Sequence, residues 1–332
     1  MPRLGKEDLL ERILRSVRAA GWNVVFLKGS HPYDLTVFKG EQSFRVRLYV
    51  WNVTHGGGPK RSPSEYRIQI TSVPLPLVAP VGFQTLLFGW NEDLHVVAAF
   101  DPERHRRPSA ASPSIQIPIS TLQEASARGL AVRQRGNEEI ALAFQPEFLV
   151  TYVENQRALH DFAPDLHAIE ILKEAGAGEE IPAERIESVP RERERVIRMI
   201  ATRRREAGFR RRVLAAYNER CAMCHLQLDL VEGAHILPVG DPRSTDDTDN
   251  GLALCSLHHE AYDDALVGVR PDYRIIVNET VIKDLRKARR AGEEERFRDE
   301  LQPRILLPSS APDRPRPEYL QQSLEVRGWR VA

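Results

Sequence analysis

Residues 250–263 read NGLALCSLHHEAYD, and this stretch decides what kind of domain the second half of the chain forms. It contains Cys255, the last of only three cysteines in the 332 residues, followed by two adjacent histidines. The other two cysteines, Cys221 and Cys224, form a CAMC pair. An odd number of cysteines confined to one segment favours a metal site in a reducing compartment over a disulfide framework.

The pairs CAMC and CSLH share one spacing, with two residues between the possible ligands. Two ligands at this spacing can hold one face of a tetrahedral ion. Cys221, Cys224, Cys255 and His258 therefore predict a closed Cys3His zinc site. Such a site is structural, because four protein ligands leave no position for a substrate. The alternative is that the three cysteines are small buried hydrophobic residues.

Between these pairs lie EGAHILPVGD and DTDNGLALC. A CxxC pair followed by AHI, NGLALC and HHEAYD resembles the HNH nuclease family of the ββα-metal group, over roughly residues 200–275. The resemblance implies a β-hairpin and a helix around one catalytic divalent ion. It makes His235 the general base and His259 a ligand of the ion, while Asn250 either orients the imidazole or binds the ion. Phosphodiester hydrolysis needs both a base and a cation.

The sequence departs from the family at one position. Many members carry a metal-binding Asp or His immediately before the catalytic histidine, and this chain has Ala234 there. Asp263, one helical turn after His259, and Asp241 are the two candidates for the missing ligand. The expected catalytic ion is Mg²⁺, Mn²⁺ or another divalent ion, since an imidazole ligand suits a transition metal better than Mg²⁺.

A basic segment precedes the cysteines. Residues 191–220 contain eleven arginines and four glutamates, a balance of +7 by 11 − 4. A charge run is usually a solvated helix face, but arginines beside a predicted metal site indicate phosphate contact. The residues of this segment predicted to contact DNA are Arg203, Arg204, Arg205, Arg210, Arg211 and Arg212.

The chain is predicted to be of the α+β class with two domains. Residues 1–160 alternate a helix with strand-like runs of valine, threonine and aromatic residues, which predicts a mixed α/β domain. Residues 161–195 are rich in Gly, Ala, Glu and Pro and are predicted to be a linker and the beginning of the basic helix. Residues 196–332 are assigned to a ββα-metal HNH nuclease domain.

Two interpretations of the N-terminal domain compete. The order of helix and strands around Asp34 is typical of a restriction-nuclease core, but Arg45 and Arg47 stand where that core needs an acid and a lysine. A metal site is therefore not expected there.

The second interpretation is a reader of DNA or of a modified base. The loop WNVTHGGGPKR (51–61) combines glycines that let a backbone approach a flipped base with Trp51, His55, Lys60 and Arg61. The alternative is an ordinary surface loop with Trp51 in the core.

We therefore expect a cytoplasmic restriction or anti-phage endonuclease that acts on double-stranded DNA, with the N-terminal domain selecting a target that can be modified DNA. Equal numbers of basic and acidic residues, 47 of each, give no evidence for or against nucleic acid, and no apolar run reaches membrane-spanning length. A homodimer would allow two active sites that each cut one strand to make a double-strand break. The alternatives are a nuclease gated by a small signalling ligand and a non-catalytic, zinc-stabilised DNA-binding protein.

Overall fold

A computed structural model describes residues 3–56, 62–107, 113–135 and 139–329. The chain divides into two compact units, Met1–Arg204 and Arg205–Ala332. Within the described ranges, no helix is both long and apolar enough to cross a membrane.

The N-terminal unit combines helices with short strands, and the unit boundary falls within its last helix. In chain order the elements are α1 (Lys6–Ala19), β1 (Asn23–Lys28), β2 (Tyr33–Lys39), β3 (Gln42–Asn52), β4 (Thr54–His55), β5 (Glu65–Gln69), β6 (Gln84–Asn91), β7 (Val96–Phe100), β8 (Ser114–Pro118), α2 (Ile119–Arg128), β9 (Leu130–Gln134), β10 (Ile140–Phe144), α3 (Leu149–His160), α4 (Leu166–Ala177), α5 (Ala183–Glu187) and α6 (Arg191–Ala216).

Among the described residues, seven of these strands form one mixed sheet in the order β1-β2-β3-β6-β7-β10-β9. Its pairs are antiparallel except β3 with β6, which run parallel with Leu48 opposite Leu86. Side chains alternate along β3, so Leu48 and Val50 enter one core while Tyr49 and Trp51 enter the core on the other face. The second core also includes residues of β5 and β8, which belong to a small sheet with β4. This architecture confirms the predicted α+β class.

The predicted linker is folded and belongs to the N-terminal unit. Helices α4 and α5 lie inside residues 161–195, and Ile169 and Leu172 of α4 are buried in the core. Gly176 allows close packing, since a Cβ there would lie 2.5 Å from the Cβ of Leu130. The composition was misleading because small residues serve here for close helix–strand contact, and the boundary lies at Arg204 rather than between residues 160 and 196.

The C-terminal unit is built on a hairpin followed by a helix. After α6 its elements are β11 (Val231–His235), β12 (Gly251–Cys255), α7 (Ser256–Asp263), β13 (Val267–Val269), β14 (Ile275–Val277), α8 (Glu279–Lys287), α9 (Glu294–Asp299) and α10 (Pro317–Val326). Strands β11 and β12 pair antiparallel, with Val231 opposite Cys255 and His235 opposite Gly251. The predicted ββα unit is thus present, and its core contains Phe209, Tyr217 and Tyr262.

Candidate active site and metal centre

The four predicted zinc ligands converge. The ligand atoms of Cys221, Cys224, Cys255 and His258 all lie within 4.8 Å of one another. The Sγ atoms of Cys224 and Cys255 are 3.9 Å apart, and Nδ1 of His258 lies 3.2 Å from Cys255 Sγ and 3.5 Å from Cys221 Sγ. The edges of a tetrahedron with bonds of about 2.3 Å measure about 3.8 Å. These distances therefore fit one tetrahedral ion.

The protonation chemistry of the cluster points to the same ion. A hydrogen bond between the Cys221 and Cys255 thiols, together with burial, raises the pKa of Cys255 to about 11. The same hydrogen bond lowers the pKa of Cys221 against the opposing effect of burial. Several thiolates at this separation repel one another unless a cation lies between them. The Cys3His cluster is consistent with a structural zinc.

The second centre begins with His235, the last residue of β11. Its ring stacks on Phe209 of α6 with centroids 3.7 Å apart and planes inclined by 8°. Nε2 lies 3.0 Å from Oδ1 of Asp246, whose other carboxylate oxygen is 3.2 Å from Nε of Arg205. A carboxylate at one ring nitrogen fixes the tautomer and leaves Nδ1 as the proton acceptor. Asp246 is a functional candidate that the sequence prediction missed, although it directly precedes the motif DTDNG (247–251).

Asn250 makes its hydrogen bonds within the loop between β11 and β12. Its side chain is fully buried, and Oδ1 accepts a hydrogen bond of 3.0 Å from the Leu237 backbone N–H. Its Nδ2 donates to the Thr245 carbonyl at 2.8 Å and to Ser244 Oγ at 3.1 Å. The carboxamide of Asn250 therefore ties together the loop between β11 and β12, and a role at the imidazole or at the ion stays a prediction.

His259 of α7 lies between two carboxylates. Its Nδ1 is 3.2 Å from Oε2 of Glu232 on β11, and its Nε2 is 3.5 Å from Oδ2 of Asp263. The hydrogen bond to Glu232 is the main reason why the pKa of His259 is raised. Unlike His258, which is wholly buried, His259 is partly open to solvent. The two adjacent histidines therefore lie in different clusters, His258 with the cysteines and His259 with the two carboxylates.

Glu232 and Asp263 sit at opposite nitrogens of the same imidazole. Only one of them can share an ion with His259, and the other would orient the ring through its N–H. Asp263 is also 3.3 Å from Arg327, which donates to the Ile236 carbonyl at 2.8 Å just beyond His235. Glu232 was missed by the sequence analysis. Its signal is the strand period of two, which puts it on the same face of β11 as Ala234.

Comparisons with known proteins agree with this geometry. Residues 221–270 match the family model described as HNH endonuclease, which spans both pairs of zinc ligands, the β11–β12 hairpin and α7. This segment is an HNH endonuclease domain. The family model implies a phosphodiester hydrolase. Residues 44–153 match a second family, described as methylase-associated X1.

Two further comparisons concern whole proteins. No curated protein matches the chain. A solved structure described as a modification-dependent TagI restriction endonuclease is 10% identical to it, over 85% of this chain and 81% of that chain, with a TM-score of 0.30.

The carboxylate of Asp241 pairs with an arginine of its own turn. Its carboxylate accepts from Nε and Nη2 of Arg243 at 2.9 and 2.7 Å. These hydrogen bonds lower the pKa of Asp241 to about 2. Of the two carboxylates predicted for the missing ligand, the structure therefore places Asp263 at His259 and pairs Asp241 with an arginine of its own turn.

The arginines of α6 differ in their surroundings. Arg204 is only 17% exposed and donates to Gln145 at 2.8 Å, so it does not face solvent as a DNA contact would. Arg205 is 56% exposed despite its pairing with Asp246, and Arg211 is exposed. Arg210 and Arg212 donate to the carbonyls of Val231 and Asp246. Arg203 is half-buried.

Of the residues predicted to read a base, the structure describes Trp51 and His55. Trp51 is buried, and its ring packs edge-on to His31 with centroids 5.1 Å apart. His55 lies on β4, with Nε2 3.0 Å from the Ser62 carbonyl. Lys60 and Arg61 lie outside the described residues.

The acidic residue of the possible restriction-nuclease core is neutralised. Asp34 accepts two hydrogen bonds from Arg47, at 2.7 and 2.8 Å. Both carboxylate oxygens are therefore engaged by the guanidinium of Arg47.

Proposed function

We propose that this chain is a metal-dependent DNA endonuclease of a restriction or anti-phage system, in which the HNH domain cuts and the N-terminal unit selects the target. One observation carries the proposal: two histidines of the ββα unit each lie beside a carboxylate. His235 of β11 contacts Asp246, and His259 of α7 lies between Glu232 and Asp263. Both histidines belong to the segment that matches the HNH family model. A non-catalytic DNA-binding protein would not require carboxylates beside both histidines.

In the proposed mechanism His235 is the general base. Asp246 holds Nε2–H, and the stacking on Phe209 fixes the ring plane, so that Nδ1 takes the proton from the attacking water. His259, with Asp263 or Glu232, would hold a divalent ion such as Mg²⁺ or Mn²⁺. That ion, when bound, supplies positive charge at the scissile phosphate. The exposed Arg205 and Arg211 of α6 hold the DNA backbone.

Paired variants show which carboxylate shares the ion. Asp263→Asn and Glu232→Gln each remove one charge and keep the size of the side chain. The variant that loses the orienting group weakens Mn²⁺ binding, measured by titration calorimetry, by about 10- to 100-fold, and the variant that loses the co-ligand weakens it more. Unchanged affinity in both variants would contradict a metal at His259.

We propose two further features, a structural zinc ion and a dimer. The Cys3His cluster binds one zinc ion that stabilises the HNH domain. Since a single HNH centre cuts one strand, two copies of the chain would act together on double-stranded DNA.

The experiment that tests the proposal is digestion of matched DNA substrates across several divalent ions. Because residues 44–153 match a family described as methylase-associated, methylated against unmodified DNA is the first pair to compare. Hydroxymethylated and phosphorothioated DNA complete the set. The proposal predicts metal-dependent cleavage of at least one substrate, and resistance of all of them in Mg²⁺ and Mn²⁺ would contradict it.

A further inference from the structure

The N-terminal unit contains a cavity that the proposed nuclease chemistry does not use. It has a volume of about 310 Å³ and lies between the beginning of α1 and strands β3 and β5. Its charged lining residues are Arg3, Lys6 and Arg67, and no carboxylate among the described residues lines it. This volume is at the lower end of the range for small-ligand pockets. The lining therefore suits an anion of modest size.

Lys6 is the most confined of the three cations. Its Nζ donates to the Val50 carbonyl at 2.5 Å, lies 3.3 Å from Nε2 of His31 and stands 4.7 Å from the centre of the Trp51 ring. In the part of the chain that the structure describes, these neighbours include no carboxylate. Burial lowers the pKa of Lys6 to about 8, because desolvation penalises the charged ammonium. An anion in the cavity would supply the missing counter-charge.

The wall that carries Arg3 and Lys6 is held in place. The side chain of Asn52 accepts from the Leu4 N–H at 3.0 Å and donates to the Leu4 carbonyl at 2.9 Å. This double hydrogen bond fixes the chain beside β3 before α1 begins. On the opposite side, Arg67 donates to the Gly56 carbonyl at 2.8 Å, which occupies one of its five N–H groups. The cations are therefore arranged before any ligand arrives, which favours binding.

The remaining lining is suited to a planar polar group. Trp51 is buried but forms part of the lining, and its ring stacks on Tyr49 with centroids 6.1 Å apart. Thr54, Gln69 and Thr71 add hydroxyl and amide groups without charge. An aromatic ring next to clustered cations is the combination that binds a base together with its phosphate.

We propose that this cavity binds a phosphate-bearing nucleotide, with the phosphate against Arg3, Lys6 and Arg67 and the base toward Trp51. The nucleotide is either free in solution or flipped out of DNA, and the second case rests on the proposed function. Either source makes the cavity the site through which the N-terminal unit recognises its ligand.

The test uses the full chain in a His235→Ala background, so that DNA is bound without being cut. Binding of 5′-mononucleotides, including 5-methyl-dCMP, is measured by calorimetry. Flipping is measured by the fluorescence of 2-aminopurine placed beside methylated and unmodified cytosines in a duplex. Arg67→Gln and Lys6→Met are compared with Arg15→Gln, an exposed residue of α1 outside the cavity, and melting curves confirm that each variant is folded.

The proposal predicts that one of the two probes responds and that both cavity variants weaken the response at least ten-fold, while Arg15→Gln leaves it unchanged. Mononucleotide binding identifies a free ligand, and a rise in fluorescence identifies a flipped base. No response to either probe, or an equal response in Arg67→Gln, overturns it. Cleavage of DNA by the wild-type chain is measured separately. A chain that binds one of the probes but cuts no DNA refutes only the proposed nuclease. A chain that cuts DNA although neither probe binds in the cavity refutes only the proposed nucleotide site.

Discussion

At the scale of single residues, spacing predicted the zinc ligands, and the resemblance to HNH nucleases predicted roles for His235 and His259. Neither indicated two of the carboxylates that lie beside these histidines. Asp246 and Glu232 could not be assigned from sequence, because loop closure and strand register bring them to their histidines. The loop contacts of Asn250 could not be predicted either, since a carboxamide can bind an ion or secure a loop, and only the folded structure shows its bonds to Leu237, Ser244 and Thr245.

Removing the charge of Asp246 tests whether it positions the base. Asp246→Asn loses the carboxylate that holds Nε2–H of His235, so we expect kcat for DNA cleavage to fall by about ten-fold or more while KM changes little. Asp247→Asn, at the adjacent and exposed position, is the matched control. Equal rates for the two variants would show that Asp246 has no role in positioning.

Lys6 should make pH act oppositely on stability and on anion binding. Its pKa is about 8 in the folded unit, below the ordinary 10.5, so the unfolded chain binds more protons between these values and stability rises with pH across that window. Phosphate binding falls over the same range, because the ammonium facing His31 and the cavity arginines loses its charge. Lys6→Met should abolish both trends in melting and binding measured from pH 7 to 10. Unaltered pH profiles in that variant would contradict the assignment.

At the scale of elements, runs of valine, threonine and aromatic residues broken by turn residues predicted the strands of the N-terminal unit, whereas the hairpin of the HNH domain was implied by the family resemblance. The pairing of β3 with β6 in parallel could not be predicted, since β4 and β5 leave the sheet between them. The linker prediction failed because α4 packs through small residues, whose composition resembles that of a loop.

The contribution of each α6 arginine to DNA binding should depend on how exposed its side chain is. Arg211→Ala removes an exposed cation, so DNA affinity should fall and the slope of log K against log salt should decrease by about one unit. Arg204→Ala should leave that slope unchanged and lower the melting temperature of the N-terminal unit instead, because Arg204 donates to Gln145. Salt titrations of binding by fluorescence anisotropy measure this. A smaller slope in Arg204→Ala would mean that the helix meets DNA through another face.

At the scale of the whole molecule, the two compact units imply two separable stabilities. His258→Ala should release one zinc ion per chain, measured by atomic emission, and lower the melting temperature of the HNH domain, while the N-terminal unit keeps its own transition. His259→Ala, at the next residue, should retain the zinc. Loss of zinc in both variants, or in neither, would contradict the division of these histidines between two centres.

The central claim, that the HNH domain cuts DNA with His235 as its base, is tested most directly by one rate. Single-turnover cleavage of a susceptible duplex in Mn²⁺ is compared for wild type, His235→Ala and His225→Ala, the last being exposed near the zinc cluster. Loss of a general base lowers the rate by about 10²- to 10⁴-fold. We predict that loss for His235→Ala alone, with zinc content and DNA affinity unchanged. Cleavage at the wild-type rate by His235→Ala would contradict the account.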